Sequence, residues 1–444
     1  MKLKTLALAM SLALPGLVQA ATLDFKACVD QTLAQNPQRE VSAARMAQAQ
    51  AALQQASRSR LPQFTLSLTV SQSDNPLNVF GMKLQQANVD MATDMSSNEV
   101  LNNPEAYTDY NTRVEMLLPI WNGGKISSFK KQAKAMVEAA QNGDVAVQQM
   151  LTFYVYQAYE GLHAARSFIK VADQALKAAD AYVITTRNLV TQGIVVRSEL
   201  LSAQAHRAEV ELMLEQAKNQ EQMALDGLRS LMGMDDNAPL DIAGRVDIAL
   251  PSEDVNELTQ MALSANPMLA ALRNQAKAGH AAVGAERAAY YPSFNLMARN
   301  DWNDKEFGTT ASSYTVAAVA SWKITDFGVT GGAVDRANAQ AREQDAQLRA
   351  EEQKVRLDVL KAWREYQNAS KKVHSNKLAV AYANEAQELI MKRYQTGVST
   401  MTEVLASQTQ LDKARAELVN AEYSMNIQKA QLRLATGRMS LDQL

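Results

Sequence analysis

The sequence predicts a mostly α-helical fold with a small β part, organised as two structural repeats that each hold two strands and a long coiled-coil hairpin. Three observations predict it. Two helical patterns break at the same kind of tip, the chain repeats itself along its length, and the apolar period switches twice from helix-like to strand-like.

The tips are Gln192-Gly193-Ile194-Val195-Val196-Arg197-Ser198-Glu199 and Thr396-Gly397-Val398-Ser399-Thr400-Met401-Thr402-Glu403. In each, a glycine closes one helical pattern, and an acid six positions on stands in the first turn of the next. Gly193 and Gly397 therefore read as the tip turns of two helical hairpins. The rest of the chain is duplicated around them. Asn36-Pro37 recurs as Asn266-Pro267, an offset of 266 − 36 = 230, while from Ile120 onward the offset is 324 − 120 = 204 and pairs Gly193 with Gly397 and Gly233 with Gly437. The first half thus carries 230 − 204 = 26 additional residues between Pro62 and Ile120.

The order of elements follows. Residues 1–20 have Lys2 and Lys4, an apolar run and Val18-Gln19-Ala20 before Ala21, the pattern of a cleavable secretory signal peptide. The first repeat spans 21–233. Helical patterns over Asp24–Asn36 and Pro37–Arg60 give way at Phe64 to strict alternation, predicting strands over 63–73 and 110–121 with Val114, Met116, Leu118 and Ile120 on one face. The loop between them, 74–109, holds the additional residues; Met82, Met91 and Met95 leave it readable as a partner site or as a surface lid. A helical hairpin then fills 125–233, its first helix about 66 residues or ~100 Å long. Apolar residues at Ala158, Leu162, Ala165, Ile169, Ala172, Leu176, Ala179 and Val183 alternate steps of four and three, a heptad seam. Residues 234–257, with Pro239 and Pro251, read as a linker. The second repeat, 258–444, places strands at 293–303 and 312–325 and a hairpin at 329–437, its seam interrupted by Asn376 and Gln387.

Composition excludes several functions. With 45 basic and 47 acidic residues the chain has no electrostatic footprint for nucleic acid. Its one cysteine, Cys28, forms no intrachain disulfide and reads as a small buried side chain; it also lies too far past Ala20 to be a lipidated first residue. His163, His206, His280 and His374 are scattered, without the spacing of a metal site, and no phosphate loop or nucleophile elbow appears. The twenty methionines are dispersed, as core gap-fillers are. No enzyme, cofactor or metal centre is expected.

Four strands do not close a membrane barrel, which needs about eight, and lipid tolerates no open sheet edge. Other copies must supply the rest, two giving eight strands and three giving twelve. The whole mature chain, through Pro62, the two strands, Pro119-Ile120-Trp121-Asn122-Gly123-Gly124, the long helix, the Gly193 tip and the repeat ending at Gly437, resembles the TolC family of outer-membrane efflux and secretion channels. The resemblance implies a homotrimer with a 12-stranded β-barrel in outer-membrane lipid, continuous with an α-helical tunnel across the periplasm. It implies a periplasmic adaptor and an inner-membrane pump of RND, ABC or MFS type as partners, in a tripartite efflux or type I secretion system. It also implies pore and gate residues: Glu403 matches a family acidic ring, although the next acid position falls on Ala406. Glu199 and Tyr394 match an acid and a tyrosine that latch the closed tip, while the latch arginine falls on Ser399, with Arg197 and Arg393 nearby as substitutes. Without the repeat and the resemblance, Glu199 and Glu403 read first as acids favoured by a helix N-terminus. The alternative function, a periplasmic coiled-coil adaptor or scaffold, explains the hairpins but not the strands.

Overall fold

The computed structural model describes residues 22–443, so the signal peptide expected over 1–20 lies outside the described residues. In chain order the elements are β1 (Thr22–Leu23), α1 (Phe25–Gln35), α2 (Pro37–Arg58), β2 (Gln63–Ser73), α3 (Pro76–Gln85), α4 (Met91–Asp94), α5 (Asn98–Asn102), β3 (Tyr107–Asn122), α6 (Lys125–Thr191) and α7 (Arg197–Met232). There follow β4 (Asp241–Ile242), α8 (Val255–Ala265), α9 (Pro267–Arg287), β5 (Ser293–Asp304), β6 (Ala311–Ser321), α10 (Val329–Gln395) and α11 (Met401–Ala435). The chain divides into two compact units: one comprises the residues up to Ala43, Gly143–Met268 and Glu351 onward, the other Ala44–Asn142 and Leu269–Ala350.

The unit containing the sheet is built on alternation. Its four strands lie antiparallel in the order β2-β3-β5-β6, so the two hairpins join through β3 and β5, and β2 and β6 remain open edges in the single chain. Directly paired residues share a face. One face is therefore Phe64, Leu66, Leu68 and Val70 with Val114, Met116, Tyr314 and Val316; Val114 and Met116 on β3 are half-buried, and the others are widely exposed, Phe64 at 71%, Leu66 at 65% and Tyr314 at 82%. The opposite face is polar, with Arg113 bonded to Asp301 at 2.6 Å in the β3–β5 register.

Several expected boundaries move, each for a local reason. Strand β3 begins at Tyr107 rather than 110 because Tyr107 finds a partner in Ser73. The register then slips between Pro119 and Trp121, so Ile120 is the unpaired residue of a bulge rather than a member of the Val114 face; proline, which has no N–H to donate, is tolerated at such a break. Strand β6 ends at Ser321, not 325, because Ser293 opposite it is the first residue of β5; Trp322 instead donates its indole N–H to the Tyr290 carbonyl at 3.1 Å. The 74–109 loop is partly ordered into α3, α4 and α5. It is fastened by Gln86, whose amide donates to Asp109 Oδ1 at 2.8 Å and to the Thr108 and Asp304 carbonyls.

In the helical unit, α1 packs Phe25, Cys28 and Val29 against Tyr156, Tyr159 and Leu162 of α6 and Leu225, Leu228 and Met232 of α7. Cys28 is buried and burial pushes its thiol up to about 11, the state of an inert packing residue. The linker expected over 234–257 is shorter, since Asp254 caps α8 by accepting from Asn256 N–H at 2.8 Å, and it contains β4, which pairs in parallel with β1.

The repeated Asn-Pro pair has a definite task. Asn36 and Asn266 each cap the following helix through Oδ1, at 2.9 Å from Gln38 N–H and Met268 N–H respectively, and each donates through Nδ2 to a carbonyl at the end of a return helix, Leu231 at 2.9 Å and Ala435 at 3.1 Å. Proline at the next position has no N–H to leave unsatisfied. The glycines that close those return helices are held on both counts. Gly233 and Gly437 have φ of +65° and +69°, and a Cβ on Gly437 would lie 2.5 Å from the Ala265 carbonyl oxygen.

Candidate tip gate

The site is assembled where two helical hairpins turn. At the end of α6, Gly193 N–H donates to Val190 O at 3.0 Å and Ile194 N–H to Leu189 O at 2.9 Å; at the end of α10, Gly397 donates to Tyr394 O at 2.9 Å and Val398 to Arg393 O at 3.0 Å. This pair of bonds is the Schellman motif, which needs a left-handed residue, and the two glycines have φ of +73° and +75°. Nothing lies within 4 Å of a Cβ built on Gly193, so its requirement is conformational and not steric.

Behind the turns sits a small apolar core of Tyr182, Val183, Leu189, Ala203, Tyr394, Met401 and Val404. Tyr394, the expected latch tyrosine, is completely buried. Its hydroxyl donates to Thr186 Oγ1 at 3.2 Å, and burial, followed by the nearby Glu199 carboxylate, raises its pKa. Glu199 itself is half-buried, and its Oε2 is enclosed without a hydrogen-bond partner. The structure thus brings Glu199 and Tyr394 together, with Thr186 as the direct partner of the phenol.

Glu403 is held on its own helix. Thr400 caps α11 by accepting from Glu403 N–H at 3.3 Å, and Ser399 hydrogen-bonds the Glu403 carboxylate. Ser399, at the position where the resemblance places a latch arginine, therefore orients the Glu403 carboxylate instead. Arg197 and Arg393, the suggested substitutes, are exposed and make no ion pair with a described residue.

A second polar cluster lies deeper. The Tyr182 hydroxyl on α6 donates to Gln408 Oε1 on α11 and accepts from Gln387 Nε2 on α10, so one oxygen ties three helices. Gln408 passes the connection to Asp412 Oδ1 at 2.8 Å, with Arg415 contributing positive charge at 3.8 Å. Burial raises the Asp412 carboxyl and pushes the Tyr182 phenol up to about 12, so the tyrosine keeps its proton. Sequence reasoning missed Thr186, Tyr182, Gln408 and Asp412. Its one signal was Gln387, noted only as an interruption of the heptad seam; the other interruption, Asn376, likewise bonds across helices, to the Glu417 carbonyl at 3.0 Å.

Among the described residues no cluster of His, Cys, Asp and Glu is arranged to hold a metal ion, and no helix is long and apolar enough to cross a membrane.

A family model described as outer membrane efflux protein matches residues 28–234 and 258–438. The outer membrane efflux protein BepC of Brucella suis biovar 1 (strain 1330) is 24% identical over 380 residues, covering 82% of this chain and 82% of its own. Among solved structures, CusC superposes with a TM-score of 0.80 at 17% identity, over 94% of this chain and 93% of its own. The outer membrane protein VceC of Vibrio cholerae superposes at 0.78 with 19% identity, over 93% and 96%. At these identities the structural likeness carries the fold.

Proposed function

The chain belongs to the outer membrane efflux protein family, and from that premise we propose that three copies form the exit duct of a tripartite efflux or type I secretion system. The observation that carries the proposal is the four-stranded sheet. Its two edges are open and one face exposes an apolar stripe from Phe64 to Val70 across to Val316. An open edge is intolerable in lipid, and an apolar stripe of this kind is costly in water. Three copies joining β2 to β6 of the next remove the first cost and give twelve strands, and lipid against the apolar face removes the second.

In this reading the signal peptide at 1–20 exports the chain, and the apolar face meets outer-membrane lipid. The duct itself is passive. A periplasmic adaptor and an inner-membrane pump supply cargo and energy, and Gly193 and Gly397 turn the hairpins at the periplasmic end. Glu199 and Tyr394 act in closing that end, and Glu403, repeated around the axis, confers cation preference by concentrating negative charge in a narrow ring. The family is one of outer membrane efflux channels, not of enzymes.

Membrane fractionation tests the reading against a soluble adaptor. The protein is expected in the outer-membrane fraction, resisting salt and carbonate extraction and released by detergent. Recovery in the soluble periplasmic fraction without detergent would overturn it.

A further inference from the structure

A cavity of about 560 Å³ opens between α6 and the residues that follow β4, away from the tips. It is lined by His163, Arg166, Ser167 and Lys170 on one face of the helix and by Ile242–Arg245, a size ordinary for a small-ligand site. Its chemistry is one-sided. The acceptors are occupied: the carbonyls of Ala243 and Gly244 receive the Tyr159 hydroxyl at 3.1 and 3.0 Å, and Ser167 Oγ donates to the His163 carbonyl. Arg166 is also engaged, by Glu221 at 2.8 Å and Asp241 at 2.6 Å.

Donors remain. Lys170 is exposed, and its ammonium has no partner among the described residues; the backbone N–H groups of Gly244 and Arg245 have none either. The Arg245 guanidinium stands 3.9 Å from Glu160 and 3.7 Å from Glu422, both beyond hydrogen-bond length, with one long 3.5 Å contact to Ser167 Oγ. His163 Nε2 is buried and unpartnered. Burial, with Arg245 and Arg166 beside it, lowers the imidazole to about 4, so it is neutral near pH 7 and able to donate from Nε2 in one tautomer.

We propose that this cavity binds a small oxyanion, a phosphate or carboxylate group, with Lys170 and Arg245 supplying the charge and the Gly244 and Arg245 N–H groups the direction. Unpaired successive backbone amides beside cationic side chains offer donors and charge to an oxyanion with no acceptor of their own to repel it. Glu160 and Glu422 compete for Arg245, so the affinity is modest and Lys170, which has no competing acid, is the discriminating residue.

The test is calorimetric titration of the full-length protein in detergent with inorganic phosphate and, separately, with citrate, each against chloride at matched ionic strength. Saturable binding of at least one is expected, and the stronger of the two distinguishes phosphate from carboxylate. Lys170→Ala is expected to weaken it about tenfold, the scale of one charge-assisted hydrogen bond, while Lys218→Ala on α7 leaves it unchanged. Two results would overturn the proposal: no saturable heat with either anion in the unaltered protein, or unaltered affinity in Lys170→Ala.

Discussion

Replacing Tyr182 by phenylalanine isolates the tie between three helices near the tip. The ring stays and the buried core around Val183 and Met401 keeps its volume, so only the hydroxyl is lost. That removes the donor to Gln408 and the acceptor for Gln387 together, and a buried amide left without its partner costs about 1–3 kcal/mol. If the tie belongs to the closed arrangement alone, the open-to-closed ratio rises by about 5- to 150-fold, since 1.4 kcal/mol is tenfold. Tyr394→Phe removes a single neutral bond, 3.2 Å to Thr186, of about 0.5–1.5 kcal/mol, a shift of about 2- to 13-fold. Single-channel recordings in planar bilayers measure both, as the fraction of time spent in the higher-conductance state. The expected order is Tyr182→Phe above Tyr394→Phe above the unaltered channel. A Tyr394→Phe channel that opens more than Tyr182→Phe would refute the assignment of the deeper cluster as the stronger tie.

Other outcomes follow from the same geometry. Gly437→Ala should destabilise the protein more than Gly193→Ala: both force alanine into a left-handed backbone at about 1–2 kcal/mol, but only Gly437 also drives a Cβ to 2.5 Å from a carbonyl oxygen, and thermal unfolding in detergent measures the difference. Glu403→Gln should lower cation preference at low salt and lose that effect at high salt, read from reversal potentials; identical reversal potentials at both would leave Glu403 as a helix-start acid. Acidification tests two ionisable groups of α6 beside the linker, His163 and Glu160. His163, held at about 4 against an ordinary imidazole value of 6.5, resists protonation in the folded state, so its contribution is whole above pH 6.5 and is lost as the pH falls toward 4. Glu160, raised by burial, acts in the opposite sense, its cost present at neutral pH and relieved on acidification. His163→Gln should therefore flatten the acid-side fall in melting temperature, and Glu160→Gln should raise the melting temperature at pH 7 more than at pH 4.5.

What the sequence made legible was periodic or punctuated. The tip glycines were readable because a left-handed C-terminal residue is nearly always glycine, and the strands because Phe64 to Ser71 alternates without a fault. The 26 additional residues were readable as an insertion, but α4 and α5 within that loop were not, since helices of four and five residues have no period to detect. Boundaries failed where pairing decided them: β6 stops at Ser321, short of the expected 325, when β5 runs out of residues. The polar ties were hidden for a different reason. Tyr182, Gln387 and Gln408 come from three helices, and their meeting depends on helix rotation that no local spacing encodes. Phe327 adds a smaller lesson. It occupies, at φ +53°, the turn position that Gly123 fills in the first repeat, where a Cβ would lie 2.4 Å from the Ala288 carbonyl oxygen; a non-glycine is accommodated in the second repeat, where the Phe327 side chain is exposed.

Native mass spectrometry of the protein released from outer membranes by detergent tests the central claim most directly, because an open four-stranded sheet must be completed by other copies. Three copies per particle, dissociating only with loss of the β signal, is the expected result. A monomeric particle that retains its sheet and still conducts in bilayers would contradict it.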